Sequence, residues 1–157
     1  MSRVVAAPVD LVWRTFVDPT RRVAWIGDVM SVTVLEQGGP RTRWLETYRP
    51  RPHRATTDEI VELSLVVLEP GRRCSVGLVG RAAAPQRTYC FTPVEVGPQR
   101  GSTVVTVIDD RCAGLADRLF DLVAGGFVAR TVEGAIRKEL DALAAACTVR
   151  VIVPAAA

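Results

Sequence analysis

Apolar residues near the N-terminus are spaced as in an amphipathic helix. Between Pro8 and Val17 they recur at three- or four-residue intervals, which places them on one helical face; they are Val9, Val12, Trp13, Phe16 and Val17. Asp18 and Pro19 then form a second helix start, with an acidic N-cap followed by proline at the first helical position. The pattern predicts two short helices in succession, the second ending near Trp25 and Ile26.

From Val29 to about Asp110 the apolar period changes to two, which is typical of half-buried strands. We expect strands at 30–36, 41–49, 58–69, 73–79, 87–96 and 102–110. Pro70 and Gly71 form a turn dipeptide between the third and fourth of these. Short connections between consecutive strands favour an antiparallel meander.

The helical period returns between residues 113 and 147, where one long helix is predicted. Its apolar stripe begins at Leu115, Leu119 and Leu122 and continues through Val128, Val132, Ile136, Leu140, Leu143 and Cys147. Gly125 and Gly126 interrupt the stripe. They indicate either a kink packed closely on the sheet or a gap that admits a ligand, and both interpretations stay open.

Composition excludes several classes of protein. With 157 residues the chain fits one domain, and 48% hydrophobic residues exclude intrinsic disorder. No apolar run approaches the roughly 20 residues of a membrane-spanning helix, so we expect no membrane insertion and a cytoplasmic location. The net charge of +3 is spread over scattered arginines, so no nucleic-acid partner is expected. The Arg21–Arg22 pair lies beside turn residues and is interpreted as solvated.

The metal-binding residue types do not form a motif. The four cysteines contain no Cys-x-x-Cys spacing, and His53 is the sole histidine, in a proline- and arginine-rich segment. The cysteines are expected to behave as small buried apolar residues. We therefore predict no metal and no cofactor.

Several local motifs resemble one known superfamily. Residues 4–13 (VVAAPVDLVW) are followed by Asp18-Pro19, residues 67–73 (VLEPGRR) form a hairpin, and residues 101–105 (GSTVV) begin a strand. Their order resembles the START/SRPBCC helix-grip superfamily, in particular its polyketide cyclase/dehydrase-like branch. The resemblance covers residues 3 to about 147.

The resemblance implies an α+β helix-grip fold. A curved antiparallel sheet of about six or seven strands would wrap around a long C-terminal helix, with two short helices after the first strand. Residues 1–147 would form a single START-like ligand-binding domain with a deep apolar cavity, followed by a tail at 148–157. The cyclase/aromatases of this type carry an arginine in the long central strand, but here Ile60 to Leu68 contains none.

The second predicted strand contains the candidate catalytic residue. Trp44, Glu46 and Tyr48 share one face, and the other face contains Arg43 and Arg49. Two unpaired arginines would be costly inside a cavity, so the first face is expected to point inward. A carboxylate between two aromatic side chains is desolvated, which makes Glu46 a candidate general acid or base. The alternatives are an outward Glu46, or an inward Glu46 satisfied by a buried hydroxyl.

The remaining candidates are apolar or aromatic residues expected to contact a ligand. In the long strand one parity should line the pocket, and the next hairpin, the second helix and the C-terminal segment add aromatic side chains. The predicted ligand-binding set is Trp25, Trp44, Tyr48, Val61, Leu63, Leu65, Val67, Tyr89, Phe91 and Phe127.

Three functions fit this reading. The first is a cyclase- or dehydrase-like enzyme of secondary metabolism acting on a polyketide-like or lipid ligand. The second is a non-catalytic carrier or a sequestering, self-resistance protein for such a ligand. The third is a protein-binding module like the chaperone-activating relatives of the fold. The chain is expected to act as a monomer or homodimer.

Overall fold

The computed structural model describes residues 1–37, 41–50, 59–80, 86–110 and 133–148. Within these residues, ten elements precede a helix, α3, at 133–148. In chain order they are β1 Ser2–Val5, α1 Val9–Val17, a 3-10 turn Pro19–Arg21, α2 Arg22–Trp25, β2 Val29–Glu36, β3 Arg41–Tyr48, β4 Glu59–Glu69, β5 Arg73–Leu78, β6 Gln86–Pro93 and β7 Thr103–Asp110.

The strands form one seven-stranded antiparallel sheet in the order β1-β7-β6-β5-β4-β3-β2. Strands β2 to β7 follow one another as a meander, and β1 pairs with β7. The turn between β4 and β5 contains Gly71 at φ +72°, a left-handed conformation that glycine adopts without steric cost. The predicted fold class and the predicted meander are confirmed.

Helix α1 covers part of the inner face of the sheet. Its Trp13 and Phe16 rings pack edge-on against Phe91, each with ring centroids 5.3 Å apart. Phe16 also contacts Tyr89 at 4.4 Å and Trp25 at 6.1 Å between centroids. These five aromatic rings form the core at this part of the sheet.

The turn that leads to α2 begins as predicted. Asp18 is the N-cap, and its Oδ1 accepts hydrogen bonds from the Thr20 backbone N–H at 3.0 Å and from Thr20 Oγ1 at 2.6 Å. Pro19 occupies the first position, where no backbone donor is needed. The chain then enters the single turn of α2 with Arg22 and Trp25 on its buried face.

Helix α3 packs on the sheet through the predicted stripe. Ile136, Leu140, Leu143 and Cys147 are all buried. The earlier part of the predicted helix lies outside the described residues, including Leu115, Leu119, Gly125 and Gly126 and the ligand-contact candidate Phe127. The tail from residue 149 onward also lies outside them.

Candidate ligand-binding cavity

A cavity of about 370 Å³ lies between the sheet, α2 and α3. Its apolar wall comes from all three, with Ile26 beside α2, Leu63, Val76 and Leu78 on β4 and β5, and Ala142 on α3. Charged side chains also reach the wall, from α2, β6 and α3. The cavity combines an apolar surface with a few polar groups, as small-molecule sites usually do.

Strand β3 points Trp44, Glu46 and Tyr48 to the inner face, because alternate residues of a strand share a face. Glu46 has no exposed surface at all, and Trp44 is 1% exposed. Glu46 Oε1 accepts a hydrogen bond from Trp44 Nε1 at 2.8 Å, and Oε2 accepts one from the Tyr48 hydroxyl. Tyr48 lines the cavity, whereas Trp44 and Glu46 lie behind the wall.

Arg22 is the ionic partner of Glu46. Its Nε donates a hydrogen bond to Glu46 Oε1, and the two side chains are 7% and 0% exposed. The interpretation of Arg22 as solvated is therefore wrong. The buried carboxylate supplies the counter-charge that allows an arginine to be buried next to turn residues.

Two tryptophans flank the Arg22 guanidinium. Its central carbon lies 5.3 Å from the Trp25 ring centroid and 5.5 Å from that of Trp44. Burial alone would lower the pKa of Arg22, but the negative charges of Glu46 and Glu139 outweigh it and raise the pKa above its ordinary value. The guanidinium is fixed in position and permanently charged.

Arg22 also has unused donor capacity. Only its Nε is bonded to Glu46, and among the described residues no side chain or carbonyl accepts a hydrogen bond from its two terminal nitrogens. Arg22 belongs to the cavity wall. These terminal nitrogens are therefore available to a ligand oxygen.

A second polar cluster lies on the β6 and α3 side of the cavity. Glu139 Oε2 accepts a hydrogen bond from Arg87 at 3.2 Å, and Oε1 accepts one from the Tyr89 hydroxyl at 3.1 Å. All three residues line the cavity. The Glu139 side chain is 17% exposed, so its carboxylate is accessible from the cavity in a way that the Glu46 carboxylate is not.

The two cavity tyrosines are held as neutral hydrogen-bond donors. Burial, followed by the adjacent charge of Glu46, raises the pKa of Tyr48 well above its usual value. Burial and the charge of Glu139 do the same for the pKa of Tyr89. Neither phenol is therefore ionised near neutral pH, and neither is suited to act as a base.

An ion pair lies at the rim of the cavity. Lys138 Nζ on α3 is 3.8 Å from Asp28 Oδ2, which follows α2, and their side chains are 77% and 55% exposed. Such an exposed pair contributes little to stability. It places one further charge of each sign at the cavity wall.

The structure separates the predicted ligand contacts into three groups. Trp25, Tyr48, Leu63 and Tyr89 line the cavity. Val61 lines a second, adjoining pocket that shares Tyr48, Leu63 and Leu78 with the first. The others within the described residues lie in or against the core: Trp44, Leu65, Val67 and Phe91. Ligand contact by any of these residues stays a prediction.

Sequence reasoning missed five charged residues of the wall, which are Arg22, Asp28, Arg87, Lys138 and Glu139. The available signal for Arg87 was its parity, since it shares a strand face with Tyr89. For Glu139 it was its position next to the apolar residues Ile136, Leu140 and Leu143 of the α3 stripe.

Among the described residues, metal ligation and membrane spanning find no support in the arrangement of side chains and helices. These residues contain no group of three or more histidine, cysteine, aspartate or glutamate side chains placed to hold a metal ion. None of the helices in this part of the chain is long and apolar enough to cross a membrane.

Comparisons with known proteins agree with the geometry. Residues 1–148 match the family model described as polyketide cyclase / dehydrase and lipid transport. No curated protein matches the sequence significantly.

Three solved structures illustrate the shared fold. The Zhui aromatase/cyclase from a Streptomyces species is 20% identical with a TM-score of 0.67, over 100% of this chain and 96% of that one. The di-domain aromatase/cyclase StfQ of the steffimycin biosynthetic pathway is 14% identical with a TM-score of 0.66, over 98% of this chain and 51% of that one. Truncated norcoclaurine synthase from Thalictrum flavum is 14% identical with a TM-score of 0.59, over 92% and 88%.

Proposed function

Because the chain belongs to the polyketide cyclase / dehydrase and lipid transport family, we propose that its cavity binds a bulky, polyketide-like aromatic ketone and acts on it as a cyclase-like enzyme. The observation that carries this proposal is the Arg22 guanidinium in the cavity wall, beside the apolar surface formed by α2, β4, β5 and α3. Its terminal nitrogens are unbonded among the described residues, so they supply the donors that a ketone oxygen requires.

The fixed position of Arg22 suits it to stabilise an oxyanion. When a water molecule takes a proton from the carbon next to a ketone, negative charge develops on the ketone oxygen. A preorganised guanidinium beside that oxygen lowers the energy of the enolate without further rearrangement. The enolate carbon can then attack a second carbonyl of the same molecule, whose oxygen takes up a proton from water to give a β-hydroxyketone. Loss of water from this β-hydroxyketone completes the ring.

Arg22 also takes the place of an arginine that is missing from the central strand. The cyclase/aromatases that the chain resembles carry an arginine in the central strand, and here β4 has none between Ile60 and Leu68. Arg22 supplies a guanidinium to the cavity from α2 instead. This placement supports cyclase-like chemistry despite the missing strand arginine.

A carrier is the second candidate function. Tyr48, Tyr89 and Glu139 each make a hydrogen bond to a neighbouring side chain, which leaves fewer groups free for proton transfer. A cavity of this kind can hold a ketone without turning it over. Proton exchange at the carbon beside the ketone distinguishes the two functions.

We test both functions with 2-acetonaphthone. Quenching of tryptophan fluorescence gives its Kd, and NMR in deuterium oxide gives the rate of exchange of its methyl protons. The double variant Arg22→Met/Glu46→Gln removes both charges together, so it avoids leaving one buried charge unpaired. We expect it to bind at least about 10-fold more weakly, because a hydrogen bond from a charged donor is lost, and to lose the accelerated exchange.

The matched control is Arg73→Met/Glu69→Gln, which makes the same changes at an exposed pair between β4 and β5. It should leave both the Kd and the exchange rate unchanged. Binding by the native protein without faster exchange would identify a carrier. Absence of saturable binding would contradict both functions and favour a protein-binding module.

A further inference from the structure

The charges in and directly behind the cavity wall occur in matched pairs. Arg22 is paired with Glu46, Arg87 with Glu139, and Lys138 with Asp28. Among the described residues around the cavity, three positive side chains are thus balanced by three negative ones. These six side chains offer directed hydrogen-bonding groups without an excess of either sign.

This balance determines which ligand charge the cavity can accept. A ligand carboxylate at Arg22 would share that guanidinium with Glu46 and would also face the negative charge of Glu139. It would then be an uncompensated anion removed from water, which is strongly unfavourable. A ketone oxygen at the same place accepts the hydrogen bonds and adds no charge.

Whereas Arg22 requires a hydrogen-bond acceptor on the ligand, Glu139 requires a hydrogen-bond donor. Each of its oxygens accepts one hydrogen bond from the protein, from Tyr89 or from Arg87. A carboxylate has about four acceptor positions, so Glu139 can accept further bonds. The matching ligand group is a donor, such as a phenolic or alcoholic hydroxyl.

We infer that the cavity selects neutral hydroxy-ketones, with the ketone oxygen at Arg22 and the hydroxyl at Glu139, and discriminates against carboxylic acids, including fatty acids. The inference rests on the proposed function, because it names the substrate class of that same cavity. It narrows the family's broad range of hydrophobic ligands to one pattern of donor and acceptor.

Three probes of the same ring system test the inference. 6-Hydroxy-2-acetonaphthone carries both groups, 2-acetonaphthone lacks the hydroxyl, and 6-hydroxy-2-naphthoic acid replaces the ketone by a carboxylate. At pH 7 we expect the hydroxy-ketone to bind about 10-fold more tightly than the simple ketone. The affinity of the acid should be lower than that of the hydroxy-ketone by a factor of about 10 or more.

The variant Glu139→Gln tests whether the charge of Glu139 disfavours an acidic ligand. It removes one negative charge from the cavity wall, so the ratio of acid to hydroxy-ketone affinity should rise about 10-fold. Because both affinities are measured on the same protein, the ratio does not depend on the stability of the variant. Glu133→Gln, an exposed residue on the same helix, is the control and should leave the ratio unchanged.

The outcomes separate this inference from the function on which it rests. If the simple ketone binds but the acid binds as tightly as the hydroxy-ketone, charge selection is wrong and the proposed function stands. If the hydroxyl gives no gain, or Glu139→Gln leaves the ratio unchanged, Glu139 is not the selecting group. If none of the three probes binds, the proposed function and the inference are both wrong.

Discussion

Arg22 and Glu46 lie 24 positions apart in the sequence and meet inside the cavity wall. The carboxylate accepts hydrogen bonds from Arg22, Trp44 and Tyr48, which restricts it to one orientation. The same bonds hold the guanidinium where a ligand can reach its terminal nitrogens. At the scale of single residues, Glu46 positions Arg22, and Arg22 contacts the ligand in the proposed function.

Of these two residues, only the inward position of Glu46 could be predicted from the sequence. Strand alternation and the cost of burying Arg43 and Arg49 are enough to turn Glu46 inward. Arg22 could not be found in the same way, because a helix of four residues is too short to show a period. An inward carboxylate does require a buried donor or cation, and Arg22 has one further indication, its i,i+3 spacing from Trp25.

The role of Glu46 is tested by Glu46→Gln, which keeps the shape of the side chain and removes its charge. We expect a loss of about 3–5 kcal/mol in the free energy of unfolding, because Arg22 becomes a buried charge without its partner. The Kd of 2-acetonaphthone should weaken with it, as Arg22 loses its fixed position. Urea unfolding and fluorescence titration measure the two quantities.

General acid–base catalysis by Glu46 stays a prediction, and it leads to a different result. In that case Glu46→Gln would slow methyl-proton exchange by roughly 100-fold while leaving the Kd unchanged. This combination would contradict a positioning role.

At the scale of elements, the turn before α2 determines where Arg22 lies. Besides its bonds to Thr20, Asp18 accepts a hydrogen bond from Arg21 Nε at 3.1 Å. Together these bonds fix the three residues that precede Arg22. The cap and proline are local signals, so this start was predictable from the sequence.

Strand ends were less predictable than strand positions. Alternation placed β6 over 87–96, but the strand ends at Pro93. Proline has no backbone donor to continue the ladder, and Val94 instead pairs with Ser102 and Gly101 in the turn. Alternation identifies a strand, but these turn bonds depend on residues on both sides of the turn.

Replacing the cap in Asp18→Ala tests the link between this turn and the cavity. We expect about 1 kcal/mol less stability at neutral pH and a weaker Kd for 2-acetonaphthone, since Arg22 is held less firmly. Asp10→Asn, in the first turn of α1, is the control and should leave the Kd unchanged.

The stability difference should also depend on pH. Burial alone would raise the pKa of Asp18, but hydrogen bonds from Thr20 and Arg21 outweigh it and lower the pKa. The contribution of such a group is complete above its unfolded-state pKa and disappears as the pH falls through its lower folded-state pKa. The native protein and Asp18→Ala should therefore converge in stability below about pH 4. A constant difference down to pH 2 would contradict this assignment.

At the scale of the whole molecule, the cavity joins parts that are distant in sequence. Its wall includes Arg22 on α2, Leu63 on β4, Arg87 on β6 and Glu139 on α3. The order of elements and the motifs together made this architecture predictable. The polar lining depends on which side chains of different elements face each other, and that information is not local in the sequence.

A ligand held between these elements should stabilise the whole fold. With 6-hydroxy-2-acetonaphthone at 100 times its Kd, linkage predicts about 2.7 kcal/mol of stabilisation. For a domain of this size, this corresponds to a rise in Tm of about 5–10 °C. Differential scanning calorimetry measures the shift. At the same ligand concentration it should fall to about half or less in Arg22→Met/Glu46→Gln, because a 10-fold weaker Kd leaves about 1.4 kcal/mol of stabilisation. An equal shift in that variant would indicate binding elsewhere on the surface.

The position of Arg22 on a short helical turn has a consequence for engineering the specificity of the protein. A polar group carried by a strand can be moved by substitution only in steps of two residues, about 7 Å, because the residue in between points to the opposite face. The segment from Asp18 to Asp28 belongs to no strand of the sheet, and it leads directly into the edge strand β2. Variation confined to these residues could therefore relocate the cationic group and retarget the protein to other ketones while the sheet keeps its pairing.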